Sequence, residues 1–204
     1  MAGIIPTNEQ IDRLRELINI GAGRGANVLN NMLNSHIKLQ VPFVKLLSYD
    51  ELLMELDIIG NVRLASVNMP FRGIFSGNAK LIFPSESALK LVAACTGEPA
   101  SGTVDIDSIR AGTLTEIGNI VLNSVMGTIS NLLHLSFNYS IPGYTEGCVN
   151  SLFNLTSIRP DMIILLARTR FIVEELNVEG DVVIFFELGS FDTFLTLLDN
   201  LVAG

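Results

Sequence analysis

Cysteine is scarce: Cys95 and Cys148 are the only two in 204 residues, and they stand far apart without the short spacings of a zinc or redox motif. Two reduced, mostly buried thiols in a cytoplasmic protein are the expectation. Histidine is equally scarce. His36 and His134 each fall near the end of a predicted long helix, with no cysteine or carboxylate at ligand spacing, so an end-cap or plain surface role is expected and a metal site is not. Thirteen Lys and Arg against 21 Asp and Glu leave a net charge of −8, which argues against nucleic acid or an anionic membrane surface as partner. No apolar run approaches the length of a membrane span. The first residues lack the basic start and apolar stretch of a secretory signal. The serine-rich turns supply no nucleophile motif, and no triad arrangement is legible.

What the chain does have is a stretch written twice. Glu16, Asn19, Ile20, Asn31, Leu33 and Pro42 recur one hundred residues later as Glu116, Asn119, Ile120, Asn131, Leu133 and Pro142. An offset that keeps polar and apolar positions in phase together points to an internal duplication, with repeats over about 7–97 and 104–204 of one domain spanning 1–204.

In the first copy Thr7 and Gln10 form a capping-box pattern. Ile11, Leu14, Ile18, Ala22, Gly25, Leu29 and Met32 then follow helical spacing on one side, with Asp12, Glu16, Asn19, Gly23 and Asn30 on the other. Gly21 and Gly25 point inward, where close backbone packing would justify their poor helix propensity. A strand over 37–43, a short helix over 48–56, strands over 61–69 and 73–83 joined by a turn at 70–72, and a helix over 85–97 complete the half. The second half repeats the order: helix 107–133, strand 136–141, a short helix near 148–155, strands 162–173 and 180–188, and helix 191–201. Either half alone would expose a sheet face. The fold class is therefore α+β: two pseudo-symmetric helix-strand-strand-strand-helix halves share one mainly antiparallel six-stranded sheet, with the long helices on one face.

Gly21-Ala22-Gly23-Arg24-Gly25-Ala26 fits a loose dinucleotide fingerprint, but that motif needs a strand before it and a turn opening a helix, and these glycines lie inside a helix. The doubled Glu-x-x-Asn is more informative. A single polar pair on a wet helix face is ordinary surface. Here the pair recurs in phase, small residues (Gly23 and Ala26) surround it in the first copy, and Ile20 and Ile120 project beside it. Carboxylate, carboxamide, apolar contact and a flat approach describe a docking site for another protein.

At these residues the chain resembles the CheC/CheX/FliY family of chemotaxis phosphatases, whose signature is Asp or Ser, three residues, Glu, two residues, Asn, twenty-two residues, Pro. Asp12, Glu16, Asn19 and Pro42 fit it fully. Glu116, Asn119 and Pro142 fit it again, with Gly112 where Asp or Ser is expected. The resemblance implies dephosphorylation of the aspartyl phosphate on a CheY-type response regulator. Glu16 and Glu116 would pair with a lysine of the regulator, and Asn19 and Asn119 would point the attacking water at phosphorus. Asp12, Ile20, Gly23, Ile120 and Asn123 would add partner contacts. It implies no cofactor in this chain, since the regulator holds its own Mg2+, and the receptor deamidase CheD as a further partner. The two sites are expected to be competent but unequal, and the flagellar-switch extension of FliY-type proteins to be absent after Leu201. The rival reading, a non-catalytic module that binds a regulator or CheD, uses the same face.

Overall fold

The structure, a computed structural model, describes residues 6–33, 36–48, 50–52, 54–55, 63–74, 76–97, 106–148, 151–152, 163–173, 176–186 and 190–200. The first half contains α1 (Asn8–Leu33), β1 (Ile37–Leu47), β2 (Leu64–Gly73), β3 (Gly77–Pro84) and α2 (Ser85–Thr96). The second contains α3 (Ile106–Leu132), β4 (Phe137–Tyr139), β5 (Gly143–Gly147), β6 (Ile163–Val173), β7 (Leu176–Phe186) and α4 (Ser190–Asn200).

Local chemistry sets several of these boundaries. At the start of α1 the Thr7 N–H donates to Gln10 Oε1 at 2.8 Å and the Gln10 N–H donates to Thr7 Oγ1 at 3.2 Å, a reciprocal cap. Ser48 and Glu51 repeat this at the helical turn over 50–52. The helix α2 stops at Gly97, which adopts φ +70° and donates its N–H to the Ala93 carbonyl, a left-handed cap that glycine takes without a Cβ penalty.

One sheet joins both halves in the order β1-β6-β7-β3-β2-β4, with β5 also on β2, and every pairing is antiparallel. Each half's first strand thus pairs with the other half's hairpin. The register carries the offset seen in the sequence: Ile37 pairs with Val173 and Phe137 with Gly73, while Leu47 pairs with Ile164 and Gly147 with Leu64. Among the described residues the sheet has seven strands where six were expected, because the counterpart of β1 is broken at 140–142 into β4 and β5. The expected turn at Pro70–Arg72 lies inside β2. Pro70 sits opposite the break, where Ser140 donates to its carbonyl, so its missing N–H costs no ladder bond.

Helices α1 to α4 and one sheet face enclose the main core, around Leu14, Ile18, Val121, Val125, Phe71 and Phe171. Alternate strand residues, among them Leu64, Ile82, Ile164 and Phe185, form a smaller cluster on the other face with Leu52 and Leu152 from the short helical turns. Between Gln40 and Phe43 the β1–β6 register slips, placing Val41 and Pro42 opposite Thr169. This bulge shifts the core-facing positions from Ile37, Leu39 and Val41 to Val44.

The helices α1 and α3 pack directly on each other. A Cβ on Gly21 would fall 2.6 Å from Val125 Cα, and one on Gly25 would fall 3.4 Å from Val121 Cα. Those two contacts make the helices antiparallel and explain both glycines as points of close approach. Packing on the sheet and on a neighbouring helix together widens the buried stripe of α1. Ala26, read as outward, is therefore in the core. Met32, read as inward, is 47% exposed in the last turn of α1. Of the two thiols, Cys95 is half-buried but Cys148 is exposed, against the expectation of mostly buried cysteines. His36 and His134 are exposed, and His134 takes φ 52° just past the end of α3.

Candidate functional site

The doubled pairs stand on the side of α1 and α3 turned away from the core. Glu16 and Asn19 are exposed, as is Glu116, while Asn119 is half-buried. Neither glutamate has a hydrogen-bond or ion-pair partner among the described residues, so both carboxylates are available to a visiting cation. With Gly21 over Val125 and Gly25 over Val121, Asn19 is level with about residue 127 and Asn119 with about residue 27. Eight residues at about 1.5 Å each separate the two pairs by about 12 Å along the helices. They are two stations and not one composite centre, and within each the Glu and Asn lie one turn apart on the same helix.

The two asparagines are held differently. Asn19 Oδ1 accepts from the Val41 N–H at 3.0 Å and its Nδ2 donates to the Val41 carbonyl at 3.3 Å. The bulge at Val41–Pro42 turns those backbone groups toward α1, which gives the spacing from Asn19 to Pro42 a structural meaning: it is the length of chain that returns the bulge to the asparagine. In the second copy the residue matching Val41 is Ile141, 92% exposed in the break between β4 and β5. Asn119 Oδ1 instead accepts from Asn123 Nδ2 at 2.6 Å, and the same nitrogen donates to the Asn119 carbonyl at 2.9 Å.

The remaining candidates divide. Asp12 is exposed and paired with Arg15 at 2.9 Å. Ile20 is 39% exposed beside Asn19, as expected of a contact residue, whereas Ile120 is half-buried against the core and offers less to a partner. Nothing lies within 4 Å of a Cβ built on Gly23 or Gly112, so both leave open space. Asn30, read as solvent-facing, is half-buried, with its Oδ1 accepting from the Ile37 N–H at the start of β1. Among the described residues no group of three His, Cys, Asp or Glu could hold a metal, and no helix is long and apolar enough to cross a membrane.

No protein-family model matches the chain. A curated protein of Bacillus subtilis (strain 168), CheY-P phosphatase CheC, is 36% identical over 138 residues, which cover 66% of this chain and 65% of that protein. The fold matches Thermotoga maritima FliY with a TM-score of 0.75 at 18% identity, over 97% of this chain and all of that one. The chain belongs to the CheC/CheX/FliY family. Its alignment nonetheless spans just under two thirds of the CheC relative's length. The same architecture recurs in FliM from an H. pylori FliM–SpeE complex, with a TM-score of 0.69 at 15% identity over 96% of this chain and 97% of that one. Within this CheC/CheX/FliY chain, the interactions sequence reasoning missed are the Asn19–Val41 and Asn119–Asn123 contacts. The first depends on a bulge that periodicity does not reveal. The second carried a signal, a carboxamide one turn after the motif asparagine.

Proposed function

We propose that this protein hydrolyses the aspartyl phosphate of a CheY-type response regulator, with two stations on one helical face. The observation that carries the reading is the doubled, outward Glu-x-x-Asn on adjacent antiparallel helices, each glutamate unpaired and each asparagine braced. The name of the CheC relative supports the same substrate.

In this reading Glu16 or Glu116 pairs with a cation of the regulator, a lysine beside its phosphate, and seats the helix over the partner's cleft. The Asn19 or Asn119 carboxamide then hydrogen-bonds a water in line with the phosphorus–oxygen bond. Water oxygen bonds to phosphorus, the bond to the aspartyl oxygen breaks, the aspartate leaves as a carboxylate and inorganic phosphate departs. A carboxamide does not act as a base toward the water's proton and works by orientation alone, which can contribute several kcal/mol. The Mg2+ that offsets charge on the phosphoryl group is the regulator's own. This work belongs in the cytoplasm. The CheD deamidase is proposed as a second partner.

A second reading has its own observation. Both ends of the Asn19 carboxamide are engaged by Val41, which suits a module that docks on a regulator without hydrolysing its phosphate. A decay time course of phosphorylated, Mg2+-loaded regulator separates the two. Catalysis predicts faster phosphate release at substoichiometric amounts of this protein, and docking alone predicts unchanged or slower release.

A further inference from the structure

The geometry assigns Asn123 as the positioning residue of the second station, doing for Asn119 what the Val41 backbone does for Asn19. This rests on the phosphatase reading above and deepens it.

A carboxamide that orients water must be fixed about its own last torsion, because the O and N ends are near-equal in shape and a half-turn exchanges donor for acceptor. At the first station the strand does this: N–H to Oδ1 and C=O from Nδ2 admit only one orientation. At the second station the strand is absent, since the chain at 140–142 belongs to neither β4 nor β5 and Ile141 is 92% exposed. Asn123 Nδ2 instead gives one hydrogen to Asn119 Oδ1 at 2.6 Å and the other to the Asn119 carbonyl at 2.9 Å. With both hydrogens spent on oxygens, the Asn123 amide is itself fixed, and it holds the Asn119 Oδ1, which leaves the Asn119 carboxamide one orientation. The position matching Asn123 in the first copy is Gly23, which has no side chain to offer. Each station therefore has one bracing device and lacks the other's.

The sequence reading placed Asn123 among the partner contacts, and the two roles separate kinetically. In an Asn19→Ala background, where only the second station works, Asn123→Ala and the near-isosteric Asn123→Asp are measured against phosphorylated regulator. A positioning role lowers kcat by about tenfold or more with KM nearly unchanged. Asn123→Gln, which keeps a carboxamide donor one turn from Asn119, recovers most of it. The loss should also couple to Asn119 in a double-mutant cycle. A raised KM with kcat intact makes Asn123 a partner contact and overturns the inference, as does full kcat in both the Ala and Asp variants. Should the Asn19→Ala protein itself fail to accelerate decay while folding normally, the second station is not catalytic, and the phosphatase reading of that station falls with the inference.

Discussion

Asn19 and Val41 are joined through both ends of one carboxamide, at 3.0 and 3.3 Å, across a bulge that interrupts β1. The contact ties the helix face that carries the first station to the edge of the sheet. A residue read as a water-orienting group is therefore also a local brace. Asn119 has no such tie to the sheet, since its brace lies on its own helix.

Stability should register that difference. Asn19→Ala loses two partly buried hydrogen bonds to backbone and should destabilise the fold by about 1–3 kcal/mol, from the usual net worth of such bonds. Asn119→Ala should cost less than half as much. Urea denaturation of the two single variants checks this, and equal losses would contradict the assigned geometry.

The α1–α3 crossing makes a sharper pair. Gly21→Ala drives a Cβ into the Val125 backbone and should cost about 1–3 kcal/mol, the usual range for overpacking. Gly23→Ala, two residues away with open space around it, should stabilise by about 0.5–1 kcal/mol through helix propensity. Thermal melts of the two variants should move in opposite directions.

Much of this was legible in the residues. The spacing of Leu14, Ile18 and Leu29 marked the buried side of α1, and Thr7/Gln10 marked a helix start that the structure shows as a reciprocal cap. Glu16, Asn19 and Glu116 stand exposed, as their phase required. Ala26 was misplaced because a helix buried against two neighbours has a stripe wider than one period predicts, whereas Met32 is exposed in the last turn of α1. The break at 140–142 and the bulge at 41–42 depend on pairing with strands more than sixty residues away in sequence, which alternation within one segment cannot report.

The two thiols should differ in reactivity. Burial pushes the Cys95 thiol up to about 11, so at pH 8 only about one part in a thousand is thiolate, and its labelling should rise as pH climbs toward that value. Cys148 is exposed. Iodoacetamide at pH 8 should modify Cys148 first and Cys95 far more slowly in the folded protein. Peptide mapping after a timed pulse reads this directly, and equal labelling would contradict the packing around Cys95.

Docking through the glutamates should appear in affinity and not in folding. Glu16→Gln with Glu116→Gln removes two exposed carboxylates that have no partner among the described residues, so thermal midpoints should hold. The Kd for regulator loaded with a phosphoryl mimic should rise roughly fivefold to tenfold and lose much of its dependence on salt. An unchanged Kd would remove the glutamates from the interface.

The central claim is that the two carboxamides, and nothing else in this chain, direct water onto a phosphate held by another protein. The most direct measurement is the rate of phosphate release from phosphorylated, Mg2+-loaded regulator with the Asn19→Ala, Asn119→Ala double variant, alongside its affinity for the same regulator. The account predicts release at the regulator's unaided rate while binding persists. Release as fast as with the parent protein would contradict it.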